Sequence, residues 1–213
     1  MAQRTIHYLF GQFLINQLDI SDQKRFLLGT VIPDAVDPTD RNTTHFKAIS
    51  NGYIYYDFSE FRNRYHKQIL EDPLYLGYYM HLVEDAFYRK FLYIDRITRP
   101  KTPDEIQSLH NDYHILNRYI VNKYRLTNIL KENTPLVTTP LLEIADFHIP
   151  AFLREMANDF TENITGTTVY VTELLADEFI ETYVPIAIRE MVAITGGFST
   201  LQAQELAWPQ GKS

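Results

Sequence analysis

The feature that most constrains the fold is a helix-start signal that recurs along the chain. Asp72 is followed by Pro73, and Thr102 is followed by Pro103, an order typical of a capping side chain with proline in the first helical turn. The segments behind these signals carry apolar residues at helical spacing, whereas the alternation typical of strands is sparse. The chain is therefore predicted to fold as an all-α protein, a single-domain multi-helix bundle.

The predicted helices are joined mostly by short loops. They cover residues 3–18, 22–31, 57–70, 72–97, 102–130, 149–163 and 168–194, with a short helix at 199–207. Residues 133–140 are predicted to be a linker. Residues 34–56 are predicted to be a long ordered loop rich in Asp, Asn and Thr, a kind of segment that is usually functional or disordered. A chain of 213 residues can bury one sizeable core, so one domain over residues 1–213 is predicted.

Composition excludes several classes of site and partner. The net charge of −7 argues against loose binding to nucleic acids or anionic membranes, so no stable nucleic-acid partner is predicted. The chain contains no run of about 18 apolar residues, so no membrane span is predicted. The N-terminus lacks the pattern of a signal peptide, which favours a cytoplasmic protein. The chain has no cysteine, so a metal would need His, Asp, Glu or backbone oxygen as its ligands.

His81 and Asp85 are the first candidates for chemistry, because they lie four residues apart on the predicted helix 72–97. Side chains at this spacing are neighbours, and a His and a carboxylate so placed can reach one cation. Gly77, one turn earlier, leaves space beside them. Chance alone supplies about one such pair (7 × 27/213), since the chain has 7 His and 27 acidic residues among 213. A plain His–Asp hydrogen bond on a partly buried helix face is the alternative.

Asp34 and His45 form a second candidate pair. Asp34 directly follows Pro33 at the end of a predicted helix, and His45 follows at the end of the polar loop. Both residues are predicted to lie on irregular backbone, which a metal ion would tie down. The alternatives are a turn or cap role for Asp34 and a surface position for His45.

These residues resemble a motif of the zinc-dependent phospholipase C family, all-α metallohydrolases that share their fold with single-strand-specific nucleases. The family shows a Gly-x-x-x-Pro-Asp segment, then a His, then Gly-x-x-x-His-x-x-x-Asp on a helix. The chain carries the same residues in the same order: Gly29, Pro33, Asp34, His45, Gly77, His81 and Asp85. The resemblance covers residues 5 to 120, roughly, and implies a phospholipase C-like fold.

The resemblance also implies a set of metal ligands. Asp34, His45, His81 and Asp85 would form one site, with Asp85 bridging to a second metal ion. In the family a His on the N-terminal helix ligates that second ion, and His7 is the only candidate for this position. Zinc is the implied metal with one or two ions, although other divalent transition metals also accept nitrogen and oxygen ligands.

Two features depart from the family pattern. The family has a further His six residues after the bridging Asp, where this chain has Phe91, so a three-metal centre is not expected. A His-x-x-x-Glu pair of the family aligns loosely with His110 and His114, and His114 would replace the Glu. Asp112 competes for that role. His110, Asp112 and His114 are therefore candidate ligands, and solvated side chains are the alternative interpretation.

The predicted function is a metal-dependent hydrolase of phosphoester or phosphodiester bonds, acting through metal-activated water on a small-molecule or lipid-like substrate. Asp34 is the candidate catalytic general base, because a loop carboxylate can turn between metal and water. No motif supports a covalent serine or cysteine mechanism. The alternatives are a metal-dependent amide or carboxylic ester hydrolase, and a non-enzymatic all-α binding protein with a structural His/Asp network.

The remaining candidates carry weaker signals. His66 lies on a charged helix face and is predicted to be a surface residue, while His148 is expected to cap the helix 149–163 or to be a buried structural residue. Several rings near the proposed ligands could wall an apolar pocket or belong to the core: Phe46, Tyr55, Tyr56, Tyr78, Tyr79 and Tyr88. Four basic side chains could meet a phosphate, and the sequence singles out none of them: Arg62, Arg64, Arg89 and Lys90.

Overall fold

The computed structural model describes residues 3–97, 100–135 and 139–210, and in these ranges the chain is mostly helical. The α-helices are α1 (Arg4–Ile15), α2 (Gln23–Gly29), α3 (Arg41–Thr44), α4 (Phe58–Glu71), α5 (Pro73–Arg89), α6 (Pro103–Tyr124), α7 (Ile149–Asp159) and α8 (Glu173–Thr195). Short 3₁₀ turns lie at Ile32–Asp34, Pro140–Glu143 and Ala203–Leu206, and a π-helical turn at Lys90–Arg96 continues α5. A small sheet contains β1 (Lys47–Ser50), β2 (Tyr53–Tyr56) and β3 (Trp208–Pro209).

The predicted helix-start signals are confirmed. The Asp72 carboxylate accepts a hydrogen bond of 2.9 Å from the backbone N–H of Leu74, in the first turn of α5. At the start of α6, Thr102 and Glu105 exchange hydrogen bonds with each other's backbone N–H groups, at 3.2 and 3.0 Å. These reciprocal bonds satisfy two N–H groups that would otherwise lack partners at a helix start.

Several predicted helix boundaries are corrected. α6 ends at Tyr124 and does not reach residue 130, because Arg125 adopts the left-handed region (φ 51°). The predicted helix 168–194 begins only at Glu173, where the Thr172 hydroxyl caps it. The predicted short helix 199–207 is reduced to the 3₁₀ turn Ala203–Leu206. The predicted linker 133–140 includes residues 136–138, which lie outside the described residues.

The predicted long loop at residues 34–56 is wrong. The segment holds α3 and a hairpin of β1 and β2, and β3 pairs antiparallel with the other edge of β2. The hairpin turns at Asn51 and Gly52, whose φ angles of 51° and 77° are both positive. Positive φ at both central residues is the requirement of the type I′ turn, which Asn-Gly meets at low cost. In β3, Trp208 lies opposite Ile54 of β2.

Helix α5 lies at the centre of the molecule. Its residues from Leu74 to Arg89 are all buried, and α1, α2, α4 and α8 pack around it. The buried apolar side chains of the described residues form one hydrophobic core. None of the described helices is both long and apolar enough to span a lipid bilayer.

Helices α2 and α5 cross in direct backbone contact. A Cβ atom added to Gly29 would lie 2.2 Å from the carbonyl oxygen of Leu74, and one added to Gly77 would lie 2.1 Å from that of Phe26. Any side chain at these two positions would therefore force the helices apart. The contact brings the end of α2, and the 3₁₀ turn that follows it, against the middle of α5.

Candidate metal centre

His81 lies in the middle of α5 and is fully buried. Its Nδ1 lies 2.9 Å from the carbonyl oxygen of Thr30, which the Gly29–Gly77 contact brings to α5. A carbonyl only accepts, so Nδ1 carries the hydrogen and the lone pair of Nε2 points to the other side. This Nε2 is 3.9 Å from Oδ2 of Asp85, which is too long for a plain His–Asp hydrogen bond.

His45 directly follows α3 and is also buried, so it is not a surface residue. Two hydrogen bonds hold α3 in place: the Tyr78 hydroxyl donates to the carbonyl oxygen of Thr44 (2.7 Å), and the Thr44 hydroxyl donates to that of Pro33 (2.9 Å). His45 Nδ1 lies 2.9 Å from the carbonyl oxygen of Arg41. As in His81, this contact leaves the lone pair of Nε2 directed inward.

Asp34 ends the 3₁₀ turn Ile32–Asp34 and has 7% of its surface exposed. Its Oδ1 lies 3.5 Å from His45 Nε2, and its Oδ2 lies 3.7 Å from His7 Nε2. Oδ1 is buried without a hydrogen-bond partner among the described residues. A buried carboxylate oxygen in this state costs free energy unless a cation compensates it.

His7 projects from α1 and is fully buried. Its Nδ1 lies 2.7 Å from Oε2 of Glu84, while its Nε2 has no hydrogen-bond partner among the described residues. Burial alone would lower the pKa of His7, but the charge of Glu84 and the hydrogen bond to it raise that pKa to about 9. The Asp85 and Asp34 carboxylates act in the same direction. His7 is thus held where negative charge accumulates.

The Nε2 atoms of the three imidazoles converge on the two carboxylates. His45 Nε2 lies 3.2 Å from Asp85 Oδ2, and His7 Nε2 lies 3.7 Å from Asp85 Oδ1. His45 and His81 face each other through their Nε2 atoms at 3.1 Å. Two imidazole lone pairs at this distance repel unless a proton or a cation lies between them, so the donor set fits a divalent metal ion.

The ligand atoms fall into two overlapping groups. His7, Asp34 and His81 offer atoms within 4.8 Å of one another, and so do His45, His81 and Asp85. The resemblance placed Asp34 beside His45 and left His7 to a second ion, whereas here Asp34 also groups with His7. The Thr30 carbonyl oxygen contacts Nδ1 of His81, so only Nε2 of His81 remains for an ion. Because His81 belongs to both groups, this one atom is shared between them.

The protonation states of His81 and Asp85 suit metal binding. Burial and the charge of His7 lower the pKa of His81 well below its usual value, which keeps this imidazole neutral. Burial would raise the pKa of Asp85, but positive charge around it, that of His7 included, holds this pKa well below its usual range. A neutral imidazole and an ionised carboxylate are the forms in which these side chains bind metals.

A cleft of about 880 Å³ opens onto this cluster. Asp34 and His45 line it, so these two candidate ligands face the cleft. The volume lies within the range of small-molecule binding sites. Of the rings that the sequence places near the ligands, Tyr56 alone lines this cleft among the described residues. Five belong to the core or pack against it: Phe46, Tyr55, Tyr78, Tyr79 and Tyr88.

The second candidate cluster, His110, Asp112 and His114, does not join the centre. Asp112 is buried, and its carboxylate accepts hydrogen bonds from three consecutive backbone N–H groups at residues 169–171, at 2.9, 2.6 and 2.9 Å. Its role is to fasten the segment before α8 to α6. His114 Nδ1 lies 3.0 Å from Glu162. His110 and His114 line the cleft, but neither belongs to a ligand group with the convergent His and Asp side chains.

The remaining predicted positions are placed as follows. Phe91 is buried and packs against Phe179, with ring centroids 5.6 Å apart, so this position offers no ligand. His66 is exposed on α4, as predicted. His148 stands at the N-cap position of α7, but its side chain makes no capping hydrogen bond and is exposed. The predicted capping or buried role of that side chain is therefore wrong.

Glu84 is the one residue of the centre that the sequence interpretation missed. It is 2% exposed, and its hydrogen bond with Nδ1 of His7, a residue 77 positions earlier in the chain, orients the His7 ring. A signal existed, because Glu84 is an acidic residue in a helix rich in apolar side chains and lies three residues after His81. A carboxylate on a helix that is buried all round needs a partner.

Glu84→Gln is expected to weaken metal binding by about 10- to 100-fold, the usual effect of losing the outer partner of a ligating His. The amide keeps the size of the side chain but no longer raises the basicity of His7. Competition with a fluorescent chelator measures the change. Glu60→Gln, which alters an exposed glutamate on α4, is the matched control and should leave metal affinity unchanged. An unchanged affinity in Glu84→Gln would contradict the placement of His7 among the ligands.

Metal binding at pH 7 is expected to release protons. Because the pKa of His7 is raised to about 9 in the metal-free chain, this His is protonated at pH 7 and must lose the Nε2 proton to become a ligand. Metal affinity should therefore rise as pH increases from 7 towards 9 and level off above that value. Calorimetric titration in buffers of different ionisation enthalpy counts the protons. If no proton is released at pH 7, the metal does not displace the Nε2 proton of His7, and His7 is not a ligand.

Comparison with family models, with curated proteins and with solved structures found no match for this chain. The candidate ligands are therefore identified by their geometry and by their order along the chain.

Proposed function

We propose that this protein is a metal-dependent hydrolase of phosphoester bonds, with a phospholipase C-like active site. The observation that carries the proposal is the convergence of five buried ligand side chains at the base of an open cleft: His7, Asp34, His45, His81 and Asp85. Buried clusters of titratable side chains in a cleft are typical of functional sites. A purely structural network would instead pair its buried polar atoms, whereas Nε2 of His7 and Oδ1 of Asp34 lack hydrogen-bond partners among the described residues.

The donor set supports zinc as the cofactor, with one or two ions. Three imidazole nitrogens and two carboxylates are ligands that zinc accepts readily, and outer partners that orient each imidazole are typical of such sites. Here those partners are Glu84 for His7, and the carbonyl oxygens of Arg41 and Thr30 for His45 and His81. When bound, the metal lowers the pKa of a water molecule and polarises a phosphoryl oxygen.

Asp34 is the proposed proton acceptor in the reaction. Among the two carboxylates of the cluster, Asp34 lines the cleft, while Asp85 is fully buried behind it on α5. A carboxylate at the cleft surface can accept the proton of an attacking water molecule and pass it to solvent. Asp85, with its lowered pKa, stays ionised and serves as a ligand.

Basic side chains in the cleft favour a phosphoester over an amide or a carboxylic ester. Arg41, Lys47 and Arg89 line the cleft, which also holds Arg4 paired with Asp159, and the acidic Asp37 and Glu155. Positive charge gathered beside carboxylate ligands compensates the negative charge of a phosphate group as it enters. A neutral ester or amide substrate would gain much less from these three cations.

The proposal is tested with the purified protein by elemental analysis and a panel of chromogenic substrates. We expect bound zinc, and hydrolysis of a phosphodiester or phosphomonoester that a chelator abolishes and added zinc restores. Preference for a carboxylic ester or an amide would replace the proposed substrate class. A protein that binds no divalent metal and hydrolyses none of these substrates would be a binding protein with a structural His/Asp network.

A further inference from the structure

Arg89 lies one helical turn after Asp85, on the same face of α5. Only 7% of its surface is exposed, which is unusual for an arginine. Its guanidinium carbon lies 4.1 Å from the centroid of the Trp208 ring and 5.5 Å from that of Tyr93. Stacking on an aromatic ring fixes the plane of a guanidinium group, whose N–H donors lie along its edge.

Strand β3 supplies the aromatic support of Arg89. Trp208 pairs with Ile54 of β2 and is 1% exposed, so its ring is fixed by the sheet. The Tyr56 ring lies 5.1 Å from the Trp208 ring and 5.6 Å from the His45 ring, measured between centroids. A continuous series of packed rings therefore connects Arg89 to a candidate metal ligand.

The same cleft contains both ends of this series. Arg89, Trp208 and Tyr56 line it together with Asp34 and His45, and the exposed Lys47 adds a further positive charge to the wall. Burial raises the pKa of Tyr56, the charge of Asp85 raises it further, and the charge of Arg89 opposes this effect. Tyr56 thus lies within electrostatic reach of both the carboxylates and the arginine, and its hydroxyl stays protonated as a donor.

We propose that Arg89, held flat on Trp208, forms an anion subsite that binds the tetrahedral phosphate group of the substrate or product beside the metal centre. This inference rests on the proposed phosphoester hydrolase function. The planar fork of arginine presents two parallel N–H donors that match two oxygens of a phosphate. Tyr56, which lines the same cleft, carries a further hydroxyl donor.

Electrostatics explain why such a subsite is needed. The ligands Asp34 and Asp85 present negative charge at the base of the cleft, and Glu84 adds a third carboxylate behind His7. With one divalent ion bound, these three carboxylates keep one negative charge in excess, which would repel an approaching phosphate dianion. A fixed guanidinium group near the site offsets this repulsion and orients the phosphate towards the ligands.

Trp208 provides a direct measurement of the subsite. It is the single tryptophan of the chain, so its emission reports on events at Arg89 without interference from other tryptophans. Titration of the purified protein with inorganic phosphate should give a saturable change in this emission. Isothermal calorimetry gives the same affinity independently of the fluorophore, and a second titration after chelation separates binding at Arg89 from binding to the metal.

Arg89→Met, which keeps the length of the side chain and removes its charge, should weaken phosphate binding by about 10- to 100-fold. Arg89→Lys keeps the charge but not the paired donors. Its affinity for phosphate should fall several-fold, as expected when an ammonium replaces a bidentate contact. Lys90→Met is the matched control, because Lys90 is the next residue along the chain and does not line the cleft. It should bind phosphate like the unmodified protein.

The outcomes separate the subsite from the function. Equal phosphate affinity in the unmodified protein and in folded Arg89→Met overturns the subsite, even if metal-dependent hydrolysis is observed. Should Arg89→Met fail to fold, an unchanged affinity in Arg89→Lys overturns it instead. If phosphate binding is lost in the Arg89 variants and kept in Lys90→Met, the subsite is supported. This holds even if the protein shows no hydrolysis and the proposed function fails. Where hydrolysis is measured, Arg89→Lys should raise KM for a phosphoester more than it lowers kcat.

Discussion

Asp85→Asn is expected to remove bound metal from the purified protein and to lower phosphoester hydrolysis by at least about 100-fold, the upper end of what the loss of an outer partner costs. Asp85 is fully buried, and its two oxygens lie 3.2 Å from His45 Nε2 and 3.7 Å from His7 Nε2. Asparagine has the same shape, so packing is retained while the negative charge is lost. Without that charge the imidazoles have too few anionic partners to hold a dication. Elemental analysis and the initial rate of hydrolysis measure the two effects.

Glu190→Gln is the control for Asp85→Asn. Glu190 is another fully buried carboxylate, and it accepts hydrogen bonds from the hydroxyls of Tyr79, Ser199 and Thr200 at 2.6, 2.7 and 2.6 Å. Its loss should lower the free energy of unfolding by about 1–3 kcal/mol and leave the metal content unchanged. Asp85→Asn should instead lose its metal and keep its free energy of unfolding. If both variants lose stability and neither loses metal, Asp85 is a structural residue and the assignment of the centre fails.

Gly77→Ala is expected to be the most destabilising single-methyl change in α5. The new Cβ would lie 2.1 Å from the carbonyl oxygen of Phe26, a backbone atom that cannot move without shifting α2. Overpacking of this kind costs about 1–3 kcal/mol and occasionally more, so we expect a loss of about 3 kcal/mol or more in the free energy of unfolding. For a chain of this size the melting temperature should fall by about 6–12 °C. Thermal unfolding followed by circular dichroism measures it.

Gly166→Ala separates a close helix contact from the general effect of replacing glycine. At Gly166 the nearest atom to an added Cβ is the flexible end of the Ile115 side chain, at 3.0 Å. This variant should melt within a few degrees of the unmodified protein. Gly77→Ala should also lose metal, because the separation of α2 from α5 withdraws the Thr30 carbonyl from His81. Full stability and full metal content in Gly77→Ala would rule out the backbone contact.

The helix starts illustrate what local sequence can predict. The Asp72 side chain before Pro73, and the side chains of Thr102 and Glu105, accept from backbone N–H groups two or three positions away, so the pattern can be recognised without the fold. The hairpin was equally local, and Asn51-Gly52 between β-forming residues was a sufficient signal for it. The polar composition of residues 34–56 outweighed this signal and led to the wrong prediction of a loop.

For the metal centre, chain order and residue type selected His7, Asp34, His45, His81 and Asp85 as candidate ligands. Asp112 shows the limit of that procedure, because a carboxylate near two His residues can equally bind backbone N–H groups. Glu84 and Arg89 show the opposite limit. Each gains its role from a partner far along the chain: His7 for Glu84, and Trp208 for Arg89. Such pairings depend on how helices cross, and no local pattern encodes them.

The sequence by itself determined where most of the helices begin, that no thiolate could serve as a ligand, and which His and Asp residues were candidates, because caps, composition and helical spacing depend on neighbours along the chain. Only the tertiary structure decided how those candidates group. The Gly29–Gly77 contact lets two backbones approach closely enough for the Thr30 carbonyl to orient His81. Ligand geometry depends on ångström-scale distances between elements remote in sequence, and packing of the whole core sets those distances.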